Sequence, residues 1–92
     1  MEDKRISIFG KVLVKARKER GVTQAELARR INRDPRTLSM TENGLREPKA
    51  STILVYAKAL GMRSGDLMNA YEDAFFEAER NNIGGKADEI EI

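Results

Sequence analysis

Residues 23–44 read TQAELARRINRDPRTLSMTENG, and this stretch decides how the chain folds. Thr23-Gln24-Ala25-Glu26 has the form of a capping box, in which a hydroxyl and a carboxylate satisfy the free amides at a helix start. Leu27, Ala28 and Ile31 recur on one face of the helix that follows, and the small Ala28 leaves room for a neighbour to cross closely. Asn32 is the non-glycine residue best suited to a left-handed turn. Asp34-Pro35 then starts another helix, with a carboxylate cap ahead of a proline at the first helical position. That helix extends to about Asn43 and stops at Gly44. Leu38 is its inward anchor, while Arg36, Thr37, Ser39 and Met40 face outward or sideways. The stretch predicts two short helices joined by a tight turn.

Further helices are expected on both sides. Upstream, Ser7 caps a helix reaching about Arg20, with Phe9, Val12, Leu13 and Ala16 inward and Lys11, Lys15 and Lys18 outward; Gly21 ends it. Downstream, Leu45-Arg46-Glu47-Pro48 is a loop. Ser51 to Leu60 is a fourth helix with Ile53, Tyr56, Ala57 and Leu60 inward, closed by Gly61. Ser64 caps a fifth helix from Gly65 to Arg80, broken by Asn81-Asn82-Ile83-Gly84-Gly85. The expected organisation is a flexible leader over residues 1–6, one all-α domain over 7–80 and a disordered acidic tail over 81–92.

At 92 residues the chain can bury one modest core. Aromatic residues make up only 5% and Trp is missing, so Leu, Ile, Val, Met and Ala must build that core. The absence of Cys excludes disulfides and thiolate metal sites. The absence of His removes the usual general base and most transition-metal ligands. No enzymatic activity, metal or cofactor is expected. No apolar run approaches the roughly 18 residues needed to span a bilayer, and the start lacks a signal-peptide core, so the expected location is the cytoplasm.

Net charge is only +2, but residues 1–50 carry 13 Lys and Arg against 7 Asp and Glu, while residues 51–92 carry 4 against 8. A basic half attracts phosphates and an acidic half is repelled by them, so the molecule would be oriented on a polyanion. A rigidly held helix that begins with arginine and small polar residues also has the shape that enters the DNA major groove.

A co-linear series strengthens this reading: Leu13 and Arg17; Thr23-Gln24, Leu27-Ala28 and Ile31; Leu38-Ser39, Glu42 and Gly44; Pro48; Tyr56-Ala57-Lys58-Ala59-Leu60-Gly61; and Leu67. In this series the chain resembles the Cro/C1-type helix-turn-helix regulators, the phage-repressor-like or XRE-like group. The resemblance implies an all-α, five-helix lambda-repressor-like DNA-binding domain with the helix-turn-helix at residues 23–43. It implies that Pro35, Arg36, Thr37 and Met40 face base edges, with Arg36 reading guanine and Pro35 and Met40 packing on thymine methyls. It also implies that Gln24, Asn43 and Arg46 meet phosphates, and that Arg17 and Glu42 form a buried ion pair between the first and third helices. The sequence departs from the family pattern at three turn and packing positions. Asn32 stands for the usual turn glycine. Arg33 stands for an apolar residue, so either the turn is less buried here or Arg33 reaches a phosphate. Thr41 stands for a larger apolar residue, so looser packing of the third helix is expected.

The fifth helix extends beyond the end of such a core. Leu67, Tyr71, Ala74, Phe75 and Ala78 form a stripe longer than the core can cover, so residues 65–80 are expected to pair two copies of the chain. Paired copies would set two third helices about 34 Å apart, facing a palindromic site on double-stranded DNA. A repressor acting as a homodimer is the leading expectation. An antitoxin-like or other protein-interaction module, with DNA binding secondary, is the alternative.

Overall fold

A computed structural model describes residues 7–81, and within them the chain forms five α-helices and no strand. The helices are α1 (Phe9–Glu19), α2 (Gln24–Arg30), α3 (Pro35–Glu42), α4 (Ala50–Ala59) and α5 (Ser64–Asn81). The expected leader and nearly all of the expected tail lie outside the described residues; Asn81 itself completes α5.

One local device closes each of the first four helices. The residue after the C-cap takes a left-handed conformation at Gly21, Asn32, Gly44 and Gly61, with φ of 66°, 54°, 80° and 74°. The next amide then reaches back five residues: Val22 to Arg17, Arg33 to Ala28, Leu45 to Met40 and Met62 to Ala57. These bonds satisfy carbonyls that the helix end leaves free. At Asn32, a side chain that tolerates the left-handed region does what glycine does at the other three sites.

The helix starts match expectation less uniformly. Thr23 Oγ1 accepts from the Glu26 amide at 3.0 Å, but the Glu26 carboxylate turns away from the cap. It accepts from Arg29 Nε and Arg30 Nε instead, at 3.0 and 2.9 Å, so half of the expected capping box forms. Two charged donors within one turn outbid a single backbone amide. The bond from Arg29, then that from Arg30, holds the Glu26 carboxyl down to about 2. Asp34 caps α3 as expected, its carboxylate accepting from the Arg36 amide at 2.9 Å. Ile8 occupies the cap position of α1, and Ser7 contributes by accepting from the Phe9 amide at 3.2 Å. Ser64 lies inside α5 rather than capping it.

Phe9, Leu13, Leu27 and Leu38 are fully buried as expected, with Val12, Ala16, Ala28, Ile31, Ile53, Tyr56, Ala57 and Leu60 around them, and the core also takes in Val22 and Leu67, which the sequence did not place there. Helix α3 packs on both α1 and α2, and α5 packs on α1 and α4. Thr41 does not loosen α3. It is sealed from solvent, and its hydroxyl donates to the Thr37 carbonyl at 3.3 Å.

The α1–α3 crossing is closest at Gly10. A β-carbon there would stand 2.5 Å from the Thr41 carbonyl oxygen and 2.6 Å from that of Glu42. Backbone at both contacts leaves no flexible side chain to give way, so Gly10→Ala should cost about 1–3 kcal/mol as overpacking. Denaturant unfolding of the variant checks this.

Candidate nucleic-acid interface

The base of the interface is a buried ion pair. Arg17 on α1 donates from Nε to Glu42 Oε2 at 2.6 Å and from Nη2 to Oε1 at 2.9 Å, a two-pronged contact between α1 and the end of α3. The two side chains are only 10% and 4% exposed. The remaining prong, Nη1, donates to the Val22 carbonyl at 3.0 Å, in the turn that leads to α2. Gln24 Nε2 adds a fourth donor, reaching Glu42 Oε1 at 2.9 Å. Three elements therefore converge on one carboxylate: α1, the entry to α2 and the C-terminal end of α3. A fixed fork matched to a carboxylate gives direction as well as attraction.

With α3 held this way, its outer face is settled. Leu38 is buried; Pro35 and Arg36 are exposed, Thr37 is half-buried, and Met40 is 38% exposed. Arg36, Thr37, Met40 and Asn43 follow the three- and four-residue steps of one helical face. Neither Arg36 nor Met40 is packed inward. Asn43 and Arg46 are exposed at the far end of α3, where Asn43 Nδ2 reaches Ser39 Oγ at 3.4 Å.

Arg33 and Arg46 line one open groove of about 380 Å³ together with Thr37, Thr41, Glu47, Pro48, Lys49, Ser51 and Thr52. The two arginines, separate in sequence, meet because the turn before α3 and the loop after it flank the same side of that helix. Lys49, Ser51 and Thr52 escaped the sequence reading. Their signal lay in Pro48-Lys49-Ala50-Ser51-Thr52, a proline followed by a cation and two hydroxyls at a helix start. Gln24 sits apart from this groove. One N–H of its carboxamide is committed to Glu42 and the other remains available.

Residues expected at an interface between copies divide differently. Leu67 is fully buried within the single chain, and Tyr71 and Ala74 pack against the same core, so these three serve α5's own attachment. Ala78 is half-buried and Phe75 is 36% exposed. The outward apolar residues are Met68, Phe75 and Phe76, at 42%, 36% and 48% exposure. They line a shallow hollow with Asn69, Tyr71 and Glu72. The outward stripe is thus rotated by about one residue from the one read in the sequence.

A helix-turn-helix family model matches residues 13–67, the span from the middle of α1 to the start of α5. The chain belongs to the Cro/C1-type helix-turn-helix family. Among solved structures it resembles the clp gene regulator ClgR from Corynebacterium glutamicum at 26% identity, covering 84% of this chain and 83% of that one, with a TM-score of 0.72. It also resembles the restriction-modification controller protein C.AhdI from Aeromonas hydrophila at 30% identity, covering 66% of this chain and 92% of that one, with a TM-score of 0.62. A Yarrowia lipolytica protein named as a multi-protein-binding factor 1 is 35% identical over 54 residues, which are 59% of this chain and 36% of that protein. The chain thus spans little more than a third of that curated relative. The matched model covers the helix-turn-helix itself, and the solved relatives are by name a clp gene regulator and a restriction-modification controller protein. Among the described residues no helix is long and apolar enough to cross a membrane.

Removing one partner of the buried pair strands the other. Glu42→Ala leaves the Arg17 guanidinium and the Gln24 amide without their acceptor, and it should destabilise the fold by about 3–5 kcal/mol. Arg17→Met combined with Glu42→Leu should lose much less, because no uncompensated charge stays buried. Chemical denaturation of the two variants against the parent chain distinguishes these outcomes.

Proposed function

We propose that this protein is a DNA-binding transcriptional regulator that binds a palindromic operator as a homodimer and represses by occupying DNA that RNA polymerase needs. In this reading α3 enters the major groove with Arg36, Thr37 and Met40 at base edges and Pro35 at the groove wall. Gln24, Arg33, Asn43 and Arg46 take phosphates on either side. The observation that carries the reading is the exposed face of α3, with an arginine at its start, on a helix whose opposite side is clamped by Leu38 and Glu42. A guanidinium presented from a rigid rod can bond guanine O6 and N7 together.

The homodimer rests on Met68, Phe75 and Phe76, which leave apolar surface on the outer face of a long, otherwise charged helix. A second copy related by a two-fold axis would cover that surface with the same residues from its own α5. It would also duplicate α3 at the spacing of one helical turn of DNA.

Selection of bound sequences from a random duplex pool tests the whole reading, and enrichment of an inverted repeat is the expected result. Arg36→Ala should flatten that preference by about 1–3 kcal/mol at the base it contacts. Gln24→Ala should weaken cognate and random duplexes about equally and leave the salt dependence unchanged, because a neutral amide displaces no counterion. Identical behaviour of both variants on both duplexes would refute these roles. Sedimentation measures the assembly: Phe75→Ser with Phe76→Ser should stay monomeric at concentrations where the parent chain is dimeric, and a parent chain that remains monomeric at high micromolar concentration would exclude the dimer.

A further inference from the structure

Glu47 lies among cations and pairs with none of them. It lines the groove beside α3 together with Arg33, Arg46 and Lys49. Among the described residues no ion pair joins Glu47 to any of these three. Its carboxylate instead accepts a hydrogen bond of 2.7 Å from the Tyr71 hydroxyl on α5, 24 residues further along the chain.

Tyr71 is well placed to hold it. Its ring meets Phe9 edge-on at 5.3 Å between centroids, and Phe9 is fully buried. On the other side the ring meets Phe75 edge-on at 6.2 Å. Burial, and then the bond to Glu47, pushes the phenol up to about 12, so the hydroxyl keeps its proton, and its role as donor, throughout the neutral range. A hydrogen bond to an ionised acceptor is among the stronger neutral-donor contacts.

The local chemistry defines what this bond prevents. A carboxylate adjacent to Arg46 and two residues from Lys49 would, if free, fold onto one of them. Such a surface pair is weak, but it need only be populated to compete with a phosphate for the same cation. We propose that Tyr71 is a positioning residue for DNA binding: its hydroxyl holds the Glu47 carboxylate away from Arg46 and Lys49 and so leaves both cations available to the phosphate backbone. This inference rests on the phosphate-binding reading of that groove. It adds Lys49 to the contacts and gives α5 a part in the DNA-facing loop.

Tyr71→Phe removes only the hydroxyl and keeps the ring that packs on Phe9 and Phe75. Binding of a mixed-sequence duplex of about 30 base pairs, followed by fluorescence anisotropy across a salt series, reads the consequence. The parent chain should show a steep fall of log affinity with log salt. Tyr71→Phe should bind several-fold more weakly at low salt, with a slope shallower by about 0.9, the equivalent of one phosphate contact. Tyr71→Phe combined with Glu47→Gln should recover the parent slope, because an uncharged side chain no longer captures a cation. A purely structural loss would lower the active fraction and leave the slope where it was. An unchanged slope in Tyr71→Phe, or no recovery in the double variant, overturns the positioning role while leaving the DNA-binding reading intact. A parent chain whose binding ignores salt overturns the phosphate reading of the groove itself, and the positioning role with it.

Discussion

The geometry of the exposed face depends on the contact between Arg17 and Glu42. It joins α1 to the last turn of α3 with two parallel bonds, and Arg17's third prong and Gln24 bring the entry of α2 to the same place. An aliphatic pair could fill that space, and replacing a buried ion pair by well-packed apolar residues is often neutral for stability. Apolar packing, however, would leave the rotation of α3 less sharply defined. A forked guanidinium on a carboxylate accepts one orientation, so α3 presents Arg36, Thr37 and Met40 outward together. The cost of burying two charges is offset by four hydrogen bonds that leave few donors or acceptors unmet.

Close approach is the second constraint. Gly10 lets α1 touch the backbone of α3 at Thr41 and Glu42, immediately beside the ion pair. The glycine contact and the ion pair are complementary: one sets how near the helices come, the other how they are turned. The same closeness seals Thr41, a residue smaller and more polar than its position would ordinarily hold. Its hydroxyl finds the Thr37 carbonyl, so polarity does not become an unsatisfied group.

The acidic and apolar character of α5 now divides by face. Leu67, Tyr71 and Ala74 fasten it to the core, and Met68, Phe75 and Phe76 remain outside. Through Tyr71, α5 also touches the loop that follows α3, which puts the helix proposed to pair two copies within one hydrogen bond of the groove proposed to meet phosphates. Arg30 plays a comparable linking role on the other side, donating to the Ala59 carbonyl at 2.8 Å and tying α2 to the C-terminal end of α4.

Much of this was legible from residues 23–44 and their flanks. The number and order of helices, the left-handed turn at Asn32, the Asp34-Pro35 start and the inward set of Leu13, Leu27, Leu38 and Tyr56 are all local matters, governed by capping chemistry and the helical repeat. The Arg17–Glu42 pair was legible only by family resemblance, because nothing local links residues so far apart. What the sequence could not decide was where long polar side chains would go once helices met. Glu26 had a choice between a backbone amide and two arginines, Glu47 between adjacent cations and a distant phenol, and Gln24 between solvent and Glu42. The stripe on α5 was misplaced by one residue for the same reason: a helix with apolar residues on neighbouring faces has no preferred orientation until a core chooses one. Local backbone preferences determine the helices, because they act within a few residues; the partners of charged and amphipathic side chains depend on distances that only the packed chain sets.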